Sequence, residues 1–210
     1  ISVTPLGVNE NYFQKISDEQ IQLTLRKFSI PNNFFLSIGT IQPRKNIILT
    51  LKAHANLPNN LAQEFPLVLV GKLGWDDGKI LATIHEAIDN KRCIWVNYIN
   101  DDEKRCLLQS ATGVSFMSLY EGFGLPMVEA YASGVPVMAS NNTALKELGS
   151  NAAILVDPLS QAEITDGFYQ LTTNTSLRDH LIDTGKSIAR KYTWSRTWNL
   201  TSNIYNNLLN

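Results

Sequence analysis

The sequence predicts an α/β fold, a doubly wound parallel sheet of about six strands with helices on its two faces. Six short apolar, β-rich runs recur, at Phe34 to Ile38, Leu67 to Val70, Ile94 to Val96, Val114 to Met117, Val135 to Met138 and Ala153 to Val156. Amphipathic segments separate them, the alternation expected of parallel strands joined by crossover helices. Each run is also followed by a loop, and an open parallel sheet binds its ligands just beyond the carboxyl ends of its strands.

The elements follow in order. The first thirty residues differ from the rest: Pro5-Leu6-Gly7-Val8-Asn9 is turn-rich and Asp18 to Phe28 reads as a short helix, so 1–30 is expected to be a lead-in. After the first strand, Asn46 is placed to cap a helix in which Ile47, Ile48, Leu51 and Ala55 share a face. Later helices are expected at Gly78 to Asn90, Asp102 to Ser110, Pro126 to Ser133, Ala144 to Leu148 and Ala162 to Thr172. Ser176 to Lys191 and Ser195 to Leu208 form two more, with no strand between them, so they pack across the sheet or reach elsewhere. Trp194 and Trp198, four residues apart, read as one packed helix face. The main domain is thus expected over 31–194, with 195–210 as a separate terminal helix.

Composition narrows the function. With 18 basic and 19 acidic residues the net charge is -1, which argues against a nucleic-acid surface. Cys93 and Cys106 are too few and too isolated for a disulfide framework or a zinc site, and they fit a reducing cytoplasm. No apolar run approaches the roughly 18 residues of a membrane span. The opening Ile1-Ser2-Val3-Thr4-Pro5 lacks a signal-peptide pattern, and the missing initiator Met suggests a fragment or a processed chain. Attachment of a fuller protein to the inner face of a membrane stays open.

Five loops are placed to converge on one crevice: Gly39 to Asn46, Gly71 to Asp77, Asn97 to Asp101, Leu119 to Gly124 and Ser140 to Thr143. In the first, Arg44 and Lys45 stand immediately before a helix, where cations are mildly unfavourable unless an anion joins them. Arg brings a planar fork to phosphate oxygens and Lys a mobile point charge, so a diphosphate is the ligand they suit.

The richest stretch is Glu121-Gly122-Phe123-Gly124-Leu125-Pro126-Met127-Val128-Glu129. Its glycines let backbone amides approach a ligand, Pro126 suits the first helical position, and a helix start offers unpaired N–H groups to an anion. The two carboxylates can each accept hydrogen bonds from a vicinal diol. A nucleotide sugar has such hydroxyls on its ribose and on its hexose.

Other chemistries fit less well. The Gly122-Phe123-Gly124 turn lacks the third glycine of a dinucleotide fingerprint, and the stretch before Lys72 lacks P-loop spacing. His54, His85 and His180 lie in expected helices without a partner at ligand spacing, so helix-surface or core roles are expected. No Ser, His and Asp set can be located by spacing. Trp75 could stack on a base or simply pack.

Taken together, Gly39-Thr40 through Pro43-Arg44-Lys45-Asn46, Ser118-Leu119-Tyr120-Glu121-Gly122-Phe123-Gly124-Leu125-Pro126 through Glu129-Ala130, and Ala132-Ser133-Gly134-Val135-Pro136-Val137 resemble glycosyltransferase family 4, also called group 1. The resemblance covers about Phe34 to Trp194. It implies a retaining transferase of GT-B architecture, two facing Rossmann-like domains, of which this chain is similar to the C-terminal, donor-binding half.

By resemblance, Arg44 and Lys45 hold the donor diphosphate, Glu121 the transferred hexose and Glu129 the ribose. Backbone amides of Gly122, Phe123 and Gly124 approach sugar and phosphates, while Lys72, Trp75, Tyr98 and Ile99 surround the base. Gly39, Thr40 and Leu125 are carried over with the same motifs as substrate-binding. No metal and no other cofactor are implied. The acceptor is expected on an N-terminal domain absent here, to which the last helix crosses in the family, so Ser195 to Leu208 is also expected to expose an apolar face. Gly71-Lys72-Leu73-Gly74-Trp75 looks similar to mannosyltransferase-like members, favouring GDP-mannose slightly over a UDP-hexose. A module that holds a nucleotide sugar without transferring it is the alternative, and sugar-nucleotide epimerases match the motifs less well.

Overall fold

The computed structural model describes residues 2–75 and 78–209; Ile1, Asp76 and Asp77 of the second loop, and Asn210 lie outside the described residues. Six strands, β1 (Phe35–Ile38), β2 (Leu67–Val70), β3 (Cys93–Val96), β4 (Gly113–Phe116), β5 (Val137–Ser140) and β6 (Ala153–Val156), form one sheet. Every pairing is parallel, with Phe35 opposite both Leu67 and Gly113. The strand order is β3-β2-β1-β4-β5-β6, the order of a dinucleotide-binding Rossmann sheet, in which the direction of winding reverses between β1 and β4.

The described helices are α1 (Asp18–Lys27), α2 (Ile47–Ala55), α3 (Asn59–Glu64), α4 (Lys79–Asp89), α5 (Asp101–Ser110), α6 (Leu125–Ser133), α7 (Thr143–Gly149), α8 (Gln161–Thr173), α9 (Thr175–Ala189) and α10 (Trp194–Leu209). Short 3-10 turns occupy Glu10–Phe13 and Pro43–Lys45.

Successive strand side chains point to opposite faces, and the buried residues divide accordingly. Phe34, Leu36, Val68 and Val70 join one core with Leu107 of α5 and Met127 and Tyr131 of α6. Phe35, Leu67 and Leu69 join the other with Leu51 of α2, Ile84 of α4 and Phe168 of α8. Val8, Tyr12, Leu25 and Ile30 are buried in the first core. The segment ahead of the sheet is therefore packed onto it. Val8 N–H donates to the Tyr192 carbonyl at 2.9 Å, tying this segment to the junction of α9 and α10.

Several local expectations are corrected. The fifth strand begins at Val137 rather than Val135, because Pro136 has no N–H to give a central ladder. Asn46 sits at the start of α2 with left-handed backbone, φ 57°, and its side chain does not cap. It donates instead to the Pro158 carbonyl at 2.6 Å. Helix α6 starts at Leu125, one residue ahead of Pro126. The short α3 and the two 3-10 turns were not expected.

Trp194 and Trp198 are not a packed face: they are 52% and 71% exposed, and α10 has no buried residue. Its exposed Tyr205, Leu208 and Leu209 agree instead with the apolar face that the family resemblance implies. Both cysteines are buried and unpaired, and burial pushes the Cys93 thiol up to about 12.

Candidate functional site

The site is built at the carboxyl edge of the sheet, where β1 and β4 part company. Loop 39–46 leaves β1 and loop 117–124 leaves β4, so the reversal of winding opens a crevice between them. The two loops are joined by the backbone, since Leu119 N–H donates to the Arg44 carbonyl at 2.8 Å. The neighbouring loops are knitted in as well. Ile41 N–H donates to the Lys72 carbonyl at 2.9 Å and Gly74 N–H to the Ile41 carbonyl at 2.8 Å, joining the loop after β2 to that after β1. On the other side, Asn142 Nδ2 donates to the Leu119 carbonyl at 3.0 Å.

The side chains that meet at this crevice are Arg44, Lys45 and Glu121. Lys45 Nζ donates to Glu121 Oε1 at 2.6 Å, Arg44 Nη1 lies 2.9 Å from the same oxygen, and Ser118 Oγ donates to it at 2.7 Å. All three contacts fall on Oε1. Among the described residues Oε2 has no hydrogen-bond partner. Arg44 Nη1 also donates to the Tyr120 carbonyl at 3.2 Å, so the guanidinium spans the edge of the β4 loop.

Burial pushes the Glu121 carboxyl up, but the Lys45 ammonium, the Ser118 hydroxyl and the Arg44 guanidinium outweigh it and hold it below its ordinary value of 4.5. A depressed folded value contributes stability above the ordinary value, and that stability disappears as pH falls through the lowered one. The denaturant midpoint of Glu121→Gln is therefore expected to lie below that of the native chain near pH 7, with the gap closing as pH is taken below about 4.5. A gap that persists unchanged into strong acid would exclude this cluster as its source.

The glycine turn sorts into two roles. Gly124 has φ 91° and is buried, and a Cβ there would lie 2.8 Å from Leu145 Cδ2; it shapes the turn into α6. Gly122 is exposed, with nothing within 4 Å of an added Cβ. Phe123 between them stacks edge-on against Tyr192 at 5.7 Å. At the helix start, Pro126 has no N–H and Met127 N–H donates to the Gly124 carbonyl at 2.9 Å. Among the described residues the N–H groups of Gly122, Phe123 and Gly124 donate to no protein acceptor, so free backbone donors lie in the turn itself.

Of the remaining expected residues, Gly39 lies under Lys45, whose Cε would be 3.1 Å from a Cβ there, and Thr40 is exposed beside it. Lys72 and Tyr98 come together from neighbouring loops, with Nζ 5.8 Å from the ring centroid. Trp75 and Tyr98 are 69% and 67% exposed and Ile99 is half-buried. Leu125 is half-buried at the first position of α6. Glu129 stands apart from the other two charges: it is buried, and its Oε2 accepts from Lys104 Nζ of α5 at 2.6 Å. Among the described residues no group of three His, Cys, Asp or Glu could hold a metal ion.

Sequence reasoning missed Lys104, Ser118, Asn142 and Thr143, whose Oγ1 accepts from the Glu121 N–H at 3.3 Å. Ser118 lies in the stretch that carried the resemblance, and Asn142 and Thr143 lie in a loop expected at the crevice; Lys104 has the look of a surface residue in an acidic helix start. His54, expected in a helix, is fully buried in α2, with Nε2 2.8 Å from the Phe65 carbonyl.

At the switch point two cations and a carboxylate meet, groups that can pair with an anion and accept from hydroxyls. The family model for glycosyl transferases group 1 matches residues 23–188. The chain belongs to that family. Among relatives, this group 1 chain is 31% identical to O-antigen chain mannosyltransferase B of Escherichia coli over 98% of its own length and 54% of the relative's. It therefore spans about half of that protein.

Two solved structures share the fold of the group 1 chain. The Anabaena protein HepE in complex with UDP-glucose superposes with a TM-score of 0.81, at 19% identity, over 95% of this chain and 56% of that one. The C-terminal domain of LpcC, a group 1 family protein from Francisella tularensis, superposes with a TM-score of 0.72, at 22% identity, over 90% of this chain and 100% of that domain.

Proposed function

We propose that this chain is the donor-binding half of a retaining glycosyltransferase, which moves a hexose from a nucleoside diphosphate to an acceptor held by an N-terminal domain. The observation that carries the reading is the meeting of Arg44, Lys45 and Glu121 on one carboxylate oxygen at the switch point. Family membership supports the reaction class. The match of LpcC's isolated C-terminal domain to nearly the whole chain supports a division into halves.

In this reading the cations exchange Glu121 for the donor diphosphate, and Glu121 Oε2 accepts from a hexose hydroxyl. The bond from the anomeric carbon to the diphosphate oxygen breaks while the acceptor oxygen bonds on the same face. The acceptor proton passes to the leaving diphosphate. Arg44 and Lys45 stabilise the charge that develops there, so the reading calls for no metal. Unpaired N–H groups at 122–124 add donors for the same charge. Lys72, Trp75, Tyr98 and Ile99 border the base, with Gly39, Thr40 and Leu125 shaping the pocket.

Mannose is the sugar that the E. coli relative's name favours, whereas HepE is described with UDP-glucose. A donor panel of GDP-mannose, UDP-glucose, GDP and UDP, followed by ligand-observed NMR on the chain, decides between them. Saturable binding of one nucleotide series is expected, in the micromolar to millimolar range, because closure against the second domain is missing. Absence of binding by every member would overturn the reading. The exposed apolar residues of α10 suit contact with that second domain. No described helix is long and apolar enough to cross a membrane; the reading places the chain in the cytoplasm, where it can serve a membrane-bound acceptor at the inner face.

A further inference from the structure

Lys104 stands in the first turn of α5, a poor place for a cation beside the positive end of a helix dipole. Its neighbours conform, since Asp101, Asp102 and Glu103 are acidic and Glu103 completes a capping box with Asn100. Lys104, a cation in this acidic start, turns inward. Its side chain is 18% exposed and reaches Glu129 Oε2, whose side chain is 11% exposed, at 2.6 Å. Above it lies the ring of Tyr12, with Nζ 5.4 Å from the centroid. Tyr12 is buried and belongs to the 3-10 turn Glu10–Phe13.

A buried charge pair with one partner removed is strongly destabilising, and such pairs are best attested where they fix a geometry. Here the pair fixes Glu129 by one oxygen only. Among the described residues Oε1 has no hydrogen-bond partner. Burial pulls the Lys104 ammonium down, but Glu129 and the Tyr12 hydroxyl outweigh it and leave it above its ordinary value, so the clamp stays charged.

We propose that Lys104, backed by Tyr12, is a positioning residue for the donor nucleotide: it clamps one oxygen of Glu129 so that the other accepts from a ribose hydroxyl. This rests on the donor-binding reading above and adds two residues to it. It also makes the segment ahead of the sheet a structural part of the donor site.

Titration calorimetry on the 210-residue chain tests it with GDP and UDP, each beside its 2′,3′-dideoxy counterpart. The native chain is expected to prefer the ribonucleotide by about tenfold or more, the worth of a hydrogen bond to a charged group. Lys104→Met should shrink that preference to less than about threefold, and Lys104→Arg should keep most of it. Lys104→Gln gives the same readout should the Met variant fail to fold. A Lys104→Met or Lys104→Gln chain with the native preference would overturn the inference, and so would a native chain that binds both sugars equally while still binding the diphosphate. A native chain that binds no nucleotide would overturn the donor-binding reading and this inference with it.

Discussion

Lys45→Ala is expected to weaken nucleoside diphosphate binding about tenfold to a hundredfold while leaving the fold intact. A charge-assisted hydrogen bond contributes about 1.5–3 kcal/mol, and each 1.4 kcal/mol is a factor of ten in affinity. Lys45 is the better buried of the two cations, its side chain 14% exposed against 43% for Arg44, so its field on a phosphate is less screened by water. The fold should tolerate the change. Glu121 would still have Arg44 at 2.9 Å and Ser118 at 2.7 Å, so no buried carboxylate is left bare. Arg44→Ala should act in the same direction and less strongly. Calorimetry with UDP and GDP reads the affinity and a thermal melt reads the fold. A Lys45→Ala chain that binds as the native chain does would place the diphosphate elsewhere.

The sheet was legible because its strands pack against apolar neighbours on both faces, fully buried in Leu67 to Val70 and half-buried over most of Ala153 to Val156, so both appear as unbroken apolar runs. The helix α3 was not, since Asn59–Glu64 offers only Leu61 and Ala62 to a periodic pattern. The terminal tryptophans were misread for a related reason: spacing shows that Trp194 and Trp198 share a face but not whether anything covers it.

In the site, residue types and their place after strands brought Arg44, Lys45 and Glu121 forward. Their convergence on a single oxygen depends on strand order, because β4 must lie beside β1 to bring position 121 to position 45. Lys104 carried no signal. A lysine in an acidic helix start looks like part of a solvated face, and only the packing of α5 on α6 shows that it turns inward.

Gly71→Ala is expected to have the other large effect, on stability and binding together. Gly71 follows β2 directly with φ 149°, a conformation L residues rarely adopt, and a Cβ there would lie 2.1 Å from the Gly39 carbonyl oxygen. That obstacle is backbone, so no rotamer relieves it. Gly71 cannot easily retreat, because its N–H donates to the Val96 carbonyl at 3.0 Å and its carbonyl accepts from Trp95 Nε1 at 2.9 Å. The strain therefore passes to Gly39, which sits under Lys45 and whose loop carries Arg44. Backbone strain of this kind costs about 1–3 kcal/mol before the clash is added, so a loss of about 3 kcal/mol or more is expected. For a chain of this size that lowers the thermal midpoint by roughly 6–12 °C. Diphosphate affinity should fall even at temperatures where the variant is folded, since the loop bearing both cations has moved. Gly122→Ala is the control for this argument: with open space around its Cβ it should leave the melt unchanged. If Gly71→Ala also melted like the native chain, the close approach of the β1 and β2 loops could not be what holds Lys45 in place.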